Sequence, residues 1–202
     1  KEYLPYFIYA FDEMGKQGLG RNRGKVTLAR VETGTGAALQ YMYQEEKEQI
    51  TGSAEVLDYA AIRKRAAELS GKPLKISFIT PARIKSEKRF TQSCEMSVLA
   101  AALVRRMNTL AYFFCGSTWD KTVTQLLDAG ESVELMGSNI QWMDWTRYSS
   151  RQDTTMQLGG FVGEALYSAV PESLLEYLCW GEALHIGKGS AFGLGKYEIK
   201  PA

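Results

Sequence analysis

The chain has 202 residues, of which 45% are hydrophobic and 23% charged, the composition of a globular protein with one large domain or two small ones. Its 24 basic residues nearly balance 23 acidic ones, so any surface that binds a polyanion has to be local. The chain has three cysteines and no Cys-x-x-Cys pair, which argues against a disulfide framework and a zinc site and favours the cytoplasm. Its apolar stretches are shorter than the ~20 residues of a membrane span, which argues against a spanning helix.

The opening of the chain has an order of elements that its end repeats. A proline, nine residues and a glycine predict a helix over residues 5–15, and a Gly-Leu-Gly-basic turn at 18–21 leads to a strand over 25–31. The same helix, glycine loop and strand recur over residues 171–199. We therefore interpret residues 1–72 as the end of a truncated ferredoxin-like unit followed by a linker.

Residues 73–202 show a second, fuller pattern. Alternating apolar residues predict a strand from Leu74 to Pro81, and apolar residues at helical spacing predict a helix over 96–114 that Gly116 closes. The remaining predictions are a short helix at 122–129, a long hairpin of runs 139–149 and 155–168, a helix at 171–181, a glycine loop at 187–195 and a strand at 197–199.

This β-α-β-β-α-β order predicts the α+β, ferredoxin-like (RRM-like) class, with a four-stranded antiparallel sheet and both long helices on one face. The glycines do not form nucleotide motifs. Gly18, Gly20 and Gly24 follow a helix, where a dinucleotide fingerprint follows a strand, and Tyr197 stands where a P-loop has Ser or Thr. The loops carry cations, which leaves two interpretations open: contact with phosphates, or tight turns beside a solvated charged face.

Five blocks carry a family resemblance. Residues 184–197, LHIGKGSAFGLGKY, are similar to the C-terminal glycine-rich signature of the CRISPR repeat-processing endoribonucleases, which belong to the RAMP superfamily. Blocks at 18–24, 78–85, 145–152 and 158–163 resemble other parts of that family's C-terminal half in the same order. The chain therefore resembles the C-terminal portion of such an enzyme.

The resemblance implies two ferredoxin-like units that bind CRISPR repeat RNA and cut it once per repeat. It implies cleavage without metal or cofactor, in which a 2′-hydroxyl attacks the adjacent phosphate. Expected partners are repeat RNA and other CRISPR effector subunits, but neither DNA nor a membrane. The alternative is a RAMP subunit that binds guide RNA without cutting it. A general single-strand RNA-binding module fits less well, because no strand has the required run of aromatic residues.

His185 is the single histidine, and it is a candidate catalytic base because it directly precedes the glycine loop. In the family, however, the base is usually a histidine near the start of the first unit, so both possibilities stay open. The predicted RNA-binding residues are the loop glycines and nearby cations: Arg21, Arg23, Arg147, Arg151, Gly187, Lys188, Gly189, Gly193, Gly195 and Lys196.

Five further residues receive predictions of their own. Three roles are open for Tyr148: proton transfer as an acid or base, stacking on a nucleobase, and packing in the hairpin, which is favoured. Trp142 and Trp145 are three residues apart, so they face opposite sides of a strand, one in the core and the other free to stack on a nucleobase. Arg105 and Arg106, on the polar side of the long helix, are expected to be solvated.

Overall fold

The computed structural model describes residues 2–20, 22–34, 40–47, 49–51, 56–117, 123–149 and 153–202. The chain forms two compact units, Lys1–Leu57 and Asp58–Ala202. The second unit begins ahead of residue 73, because the helix Tyr59–Leu69 buries Ile62, Ala66 and Leu69 in its core. The interpretation of residues 1–72 as the end of an earlier ferredoxin-like unit stays a prediction.

The first unit consists of one helix and a small antiparallel sheet in the order β1-β2-β3. Its elements are α1 Leu4–Gln17, β1 Arg30–Thr33, β2 Gln40–Gln44, a 3₁₀ turn Glu45–Lys47 and β3 Gln49–Ile50. The predicted strand over 25–31 is mostly wrong: the backbone N–H of Val26 donates to Gly15 O at the end of α1, and pairing with β2 starts only at Arg30. The described residues of this unit bury only Ile8, Gly15 and Met42.

The second unit carries the main sheet. Its helices are α2 Tyr59–Leu69, α3 Met96–Leu110, α4 Val123–Glu131 and α5 Glu172–Leu184, with a π-helical turn Ala111–Cys115 and a 3₁₀ turn Ser190–Phe192. Its strands are β4 Leu74–Ala82, β5 Lys85–Ser86, β6 Arg89–Phe90, β7 Leu135–Met143, β8 Thr146–Ser149, β9 Thr154–Gln157, β10 Gly160–Tyr167 and β11 Tyr197–Pro201.

The sheet has the predicted ferredoxin-like topology. Its four strands lie in the order β11-β4-β10-β7, and every neighbouring pair is antiparallel. Leu74, Ile76 and Phe78 alternate toward one face, where α3 and α5 cover them, while the intervening Lys75 and Ser77 stay only half-buried. The fold class and the placement of both long helices on one face are confirmed.

The long hairpin is divided in two. β7 and β10 pair within the main sheet, whereas β8 and β9 form a separate two-stranded extension beyond it. The break falls where Trp142 Nε1 donates to Asp144 Oδ1 at 2.8 Å, and where both of these side chains lie against Gly159. Within the segment between the two predicted hairpin runs, residues 150–152 lie outside the described part of the chain.

α3 supplies much of the core, but its predicted apolar stripe ends early. Leu99, Leu103 and Met107 are buried, whereas Phe114 is 81% exposed, because the π-helical turn after Leu110 departs from the 3.6-residue period. Gly116 ends the turn in a left-handed conformation, as predicted. By length and composition alone, residues Met96–Cys115 are sufficient to cross a membrane. The buried face of α3 nevertheless identifies it as a core helix.

Candidate nucleic-acid interface

The glycine-rich loop at residues 187–195 is fastened to the end of β4. Gly187 pairs with Arg83 in a parallel bridge, and the backbone N–H of Lys188 donates to Arg83 O at 2.8 Å. Farther along, Gly195 N donates to Pro81 O at 3.0 Å. The Thr80 hydroxyl donates to Gly193 O and accepts from Lys196 N, both at 2.8 Å. Hydrogen bonds therefore hold both ends of the loop against the end of β4.

The loop glycines differ in what surrounds them. Gly195 has a φ of +77°, and a Cβ there would lie 1.9 Å from Ile186 O, so the chain's own backbone occupies that space. Gly193 has a similar φ of +82°, but a Cβ there would meet nothing within 4 Å. Gly195 therefore serves the turn itself, and Gly193 leaves open space in which another molecule can approach the backbone.

We expect Gly195→Ala to lower the free energy of unfolding by about 3 kcal/mol, since it adds a backbone clash to the cost of a left-handed non-glycine residue. Gly193→Ala is the matched control and should cost about 1 kcal/mol, because only the conformational cost remains. Urea midpoints followed by tryptophan fluorescence give both values. Equal losses at the two positions would show that space around Gly195 is not limiting.

A basic groove lies between this loop, α3 and the end of β4, with a volume of about 430 Å³. Five cationic side chains line it: Arg83, Lys85, Arg105, Arg106 and Lys188. No acidic residue lines the groove, and none of the five cations forms an ion pair with a carboxylate of the described residues. In a chain with a net charge of only +1, this is a strong local concentration of positive charge.

Two of the five cations also hold the structure together. The Arg83 guanidinium donates to Gly159 O at 2.9 Å and stacks on the Phe90 ring 3.7 Å from its centroid. Partial burial lowers the pKa of Arg83, although an arginine stays protonated at neutral pH. Arg106 Nε donates to Leu184 O at 3.3 Å. Lys188 and Arg105 are exposed, and Lys85 Nζ lies over Phe90, so these three ammonium and guanidinium groups face the groove without a hydrogen-bond partner among the described residues.

The expectation that Arg105 and Arg106 are solvated holds for Arg105, which is exposed, but not for Arg106, which is half-buried and donates to Leu184 O. They lie on the polar side of α3, as their spacing indicates, but the glycine loop and the end of β4 approach that side and turn it into a groove wall. Arginine and lysine side chains that converge without carboxylate partners are suited to phosphate groups. This arrangement can hold one or more phosphates and stabilise additional negative charge on them.

A second concavity lies on the other part of the loop and is apolar. This recess, lined by Thr80, Pro81, Met143, Trp145, Phe192, Gly193 and Leu194, has a volume of about 270 Å³. Arg147 of β8 stacks on the Phe192 ring 4.2 Å from its centroid and so ties the hairpin extension to the loop. Trp142 packs against the core, while Trp145, in the break between β7 and β8, is 40% exposed, so one indole lies in the core and the other at the surface.

The predicted RNA-binding residues are distributed unevenly. Gly187, Lys188 and Gly189 line the basic groove, Gly193 lines the recess, and Lys196 is exposed beside the loop. Arg23 is exposed in the first unit, in a turn with a φ of +47°. The predictions for Arg21 and Arg151 lie outside the described residues.

His185 is held in one orientation. It ends α5 with a φ of +61°, and its Nδ1 lies 3.1 Å from Leu194 O. A carbonyl oxygen only accepts, so Nδ1 carries a proton and Nε2 is the ring atom that remains able to take one. His185 is not among the residues that line the basic groove. The ring links the two ends of the glycine loop.

Tyr148 is not packed in the hairpin, since 59% of its surface is exposed. Its hydroxyl donates to Asp153 Oδ1 at 2.5 Å, and this bond, more than partial burial, raises the pKa of Tyr148. The phenol is therefore protonated at neutral pH and engaged across the hairpin extension, which makes it a poor general base.

Comparison with known proteins gives the following matches. The sequence model of the family described as CRISPR-associated endoribonuclease Cas6 matches residues 76–197, and another model, described as an N-terminal domain, matches residues 1–55. A Thermus thermophilus Cas6 structure aligns with a TM-score of 0.52 and 16% identity over 81% of this chain and 66% of that one. A partial Cas6-RT-Cas1–Cas2 complex aligns with a TM-score of 0.52 and 18% identity, over 81% and 30%.

The chain thus spans just under two thirds of the Thermus protein and under a third of the matched chain in the complex. At these identities the structural likeness establishes the fold alone. The comparison with curated protein sequences found no match.

Proposed function

The chain belongs to the Cas6 family of CRISPR-associated endoribonucleases, and we propose from that premise that it binds CRISPR repeat RNA and takes part in cutting it into guide RNAs. The observation that carries this proposal is the basic groove, where five cations without carboxylate partners among the described residues converge beside the loop that contains the family's signature. RNA phosphates provide the complementary charge.

We propose that cleavage follows the metal-independent route. The 2′-hydroxyl of one nucleotide loses its proton to a general base and attacks the adjacent phosphorus, and the 5′-oxygen of the next nucleotide leaves with a proton. The products carry a 2′,3′-cyclic phosphate and a 5′-hydroxyl. The groove cations have a natural role in this reaction, because the pentacoordinate phosphorane carries more negative charge than the diester.

One observation favours the alternative of binding without cleavage. The side chains that line the groove are arginines, lysines, a threonine, a serine and apolar groups, none of which is a general base at neutral pH. A subunit that only holds guide RNA needs nothing more. Other CRISPR proteins are proposed partners under either function.

The product ends decide between these functions. We expect the chain to bind end-labelled repeat RNA in the presence of a chelator, and any cut product to carry the cyclic phosphate and the 5′-hydroxyl. A matched RNA with a 2′-deoxy nucleotide immediately before the cut should bind equally and stay intact, because it lacks the nucleophile. Cleavage of the deoxy RNA, or a 5′-phosphate on the product, would contradict the proposed chemistry. Binding of the repeat RNA without any cleavage product would support the alternative.

A further inference from the structure

We propose that the apolar recess beside the glycine loop binds one unstacked nucleobase of the RNA whose phosphates occupy the basic groove. This inference rests on the proposed function and adds to it a base-binding site with Trp145 and Phe192 as its stacking surfaces. The site is separate from the five cations of the groove.

The walls of the recess suit a flat aromatic ligand with polar edges. Met143, Trp145 and Phe192 are 49%, 40% and 47% exposed, so three large apolar side chains surround one concavity in contact with water. Single exposed apolar residues are common, but their convergence on one cavity marks a binding site. A nucleobase stacks on such rings through either face.

The position of the recess connects it to RNA. The same loop forms both concavities: Gly187–Ser190 line the basic groove, and Phe192–Leu194 line the recess. The 3₁₀ turn Ser190–Phe192 joins these two stretches, and such a turn advances only ~2 Å per residue. An RNA strand that has one phosphate in the groove therefore reaches the recess within one or two nucleotides.

The recess also has a cation at its border. The Arg147 guanidinium stacks on one face of the Phe192 ring, which fixes the orientation of that ring and brings a positive charge to the border of the recess. Gly193 leaves open space at the recess, since a side chain there would meet nothing within 4 Å. An inserted base thus finds aromatic rings, a phosphate-pairing cation and accessible backbone together.

The test is equilibrium binding of repeat RNA to the 202-residue chain, with abasic nucleotides placed at one position at a time. We expect Trp145→Leu to weaken binding about 10-fold, within the 5- to 150-fold range of one base-stacking contact, whereas Trp145→Phe should stay within about 3-fold of the wild type. Phe192→Leu is the second variant. Phe113→Ala, which removes an aromatic residue that is 70% exposed and outside the recess, is the control and should have no effect.

The decisive result is a double-mutant cycle. An abasic nucleotide at the inserted position should weaken wild-type binding as much as Trp145→Leu does, and it should weaken the Trp145→Leu variant no further. If wild-type protein binds RNA but the two effects add at every position, the recess proposal is overturned while the proposed function stands. If wild-type protein does not bind repeat RNA, both fall.

Discussion

Replacing Lys85, Arg105 and Lys188 together with glutamine is expected to weaken binding of repeat RNA by about 10²–10³-fold at low salt. Each of these residues lines the basic groove and forms no ion pair with a described carboxylate, so each charge is available to a phosphate. An ordinary hydrogen bond contributes ~1 kcal/mol and a charge-assisted one ~1.5 kcal/mol at the lower end of its range, and three contacts of this size account for the expected loss. Glutamine keeps much of each side-chain stem while removing the charge.

The salt dependence of the same binding tests the mechanism. Loss of three phosphate contacts on a single strand should reduce the slope of log K against log salt by about 2, at ~0.7 per contact. The matched control replaces Lys64, Lys72 and Lys200 with glutamine, since these three exposed lysines do not line the groove. Equal effects of the two triple variants would mean that overall charge, and not the groove, determines affinity.

The order of elements in the second unit was predictable because its patterns are local and strong. Leu74, Ile76 and Phe78 alternate over a strand, and Leu99, Leu103 and Met107 repeat at helical spacing. The early end of the stripe was not predictable, because a π-helical turn after Leu110 carries no compositional signal that distinguishes it from a continued α-helix.

The basic groove was beyond sequence reasoning for a different reason. Its cations come from the end of β4 and from β5, from α3 and from the glycine loop, three segments that lie far apart in the sequence. Only the antiparallel placement of β11 beside β4 brings the loop to Arg83 and thereby to Arg105. Lys188 was predicted because it lies within a motif, whereas Arg105 was missed because a helical pattern does not show what faces its polar side.

The recess was partly foreseeable. The three-residue spacing of Trp142 and Trp145 predicted that one indole faces the core and the other does not. The approach of Phe192 to Trp145 was not foreseeable. Phe192 belongs to a turn of the loop and Trp145 to the break in the hairpin, and neither segment follows a repeating pattern.

Cleavage of repeat RNA by the 202-residue chain is expected to be about 10²–10⁴-fold slower than cleavage by a member of the family that carries the usual histidine near the start of its first unit. Resemblance to the family places the general base at a histidine near the start of the first unit, and the only histidine of this chain is His185 in the second. A general base contributes 10²–10⁴-fold, which sets the size of the deficit. Single-turnover rates with saturating protein, in chelator, measure cleavage separately from affinity.

The variant His185→Asn separates the two possible roles of this residue. Asparagine keeps a polar side chain whose amide is able to donate to Leu194 O, but it is not a base at neutral pH. If His185 anchors the loop, His185→Asn should cleave within about 3-fold of the wild type, while His185→Ala should weaken RNA binding because the loop loses its tie. A loss above 10²-fold for His185→Asn with unchanged RNA affinity would instead make His185 the base, with Nε2 as the atom that takes the proton.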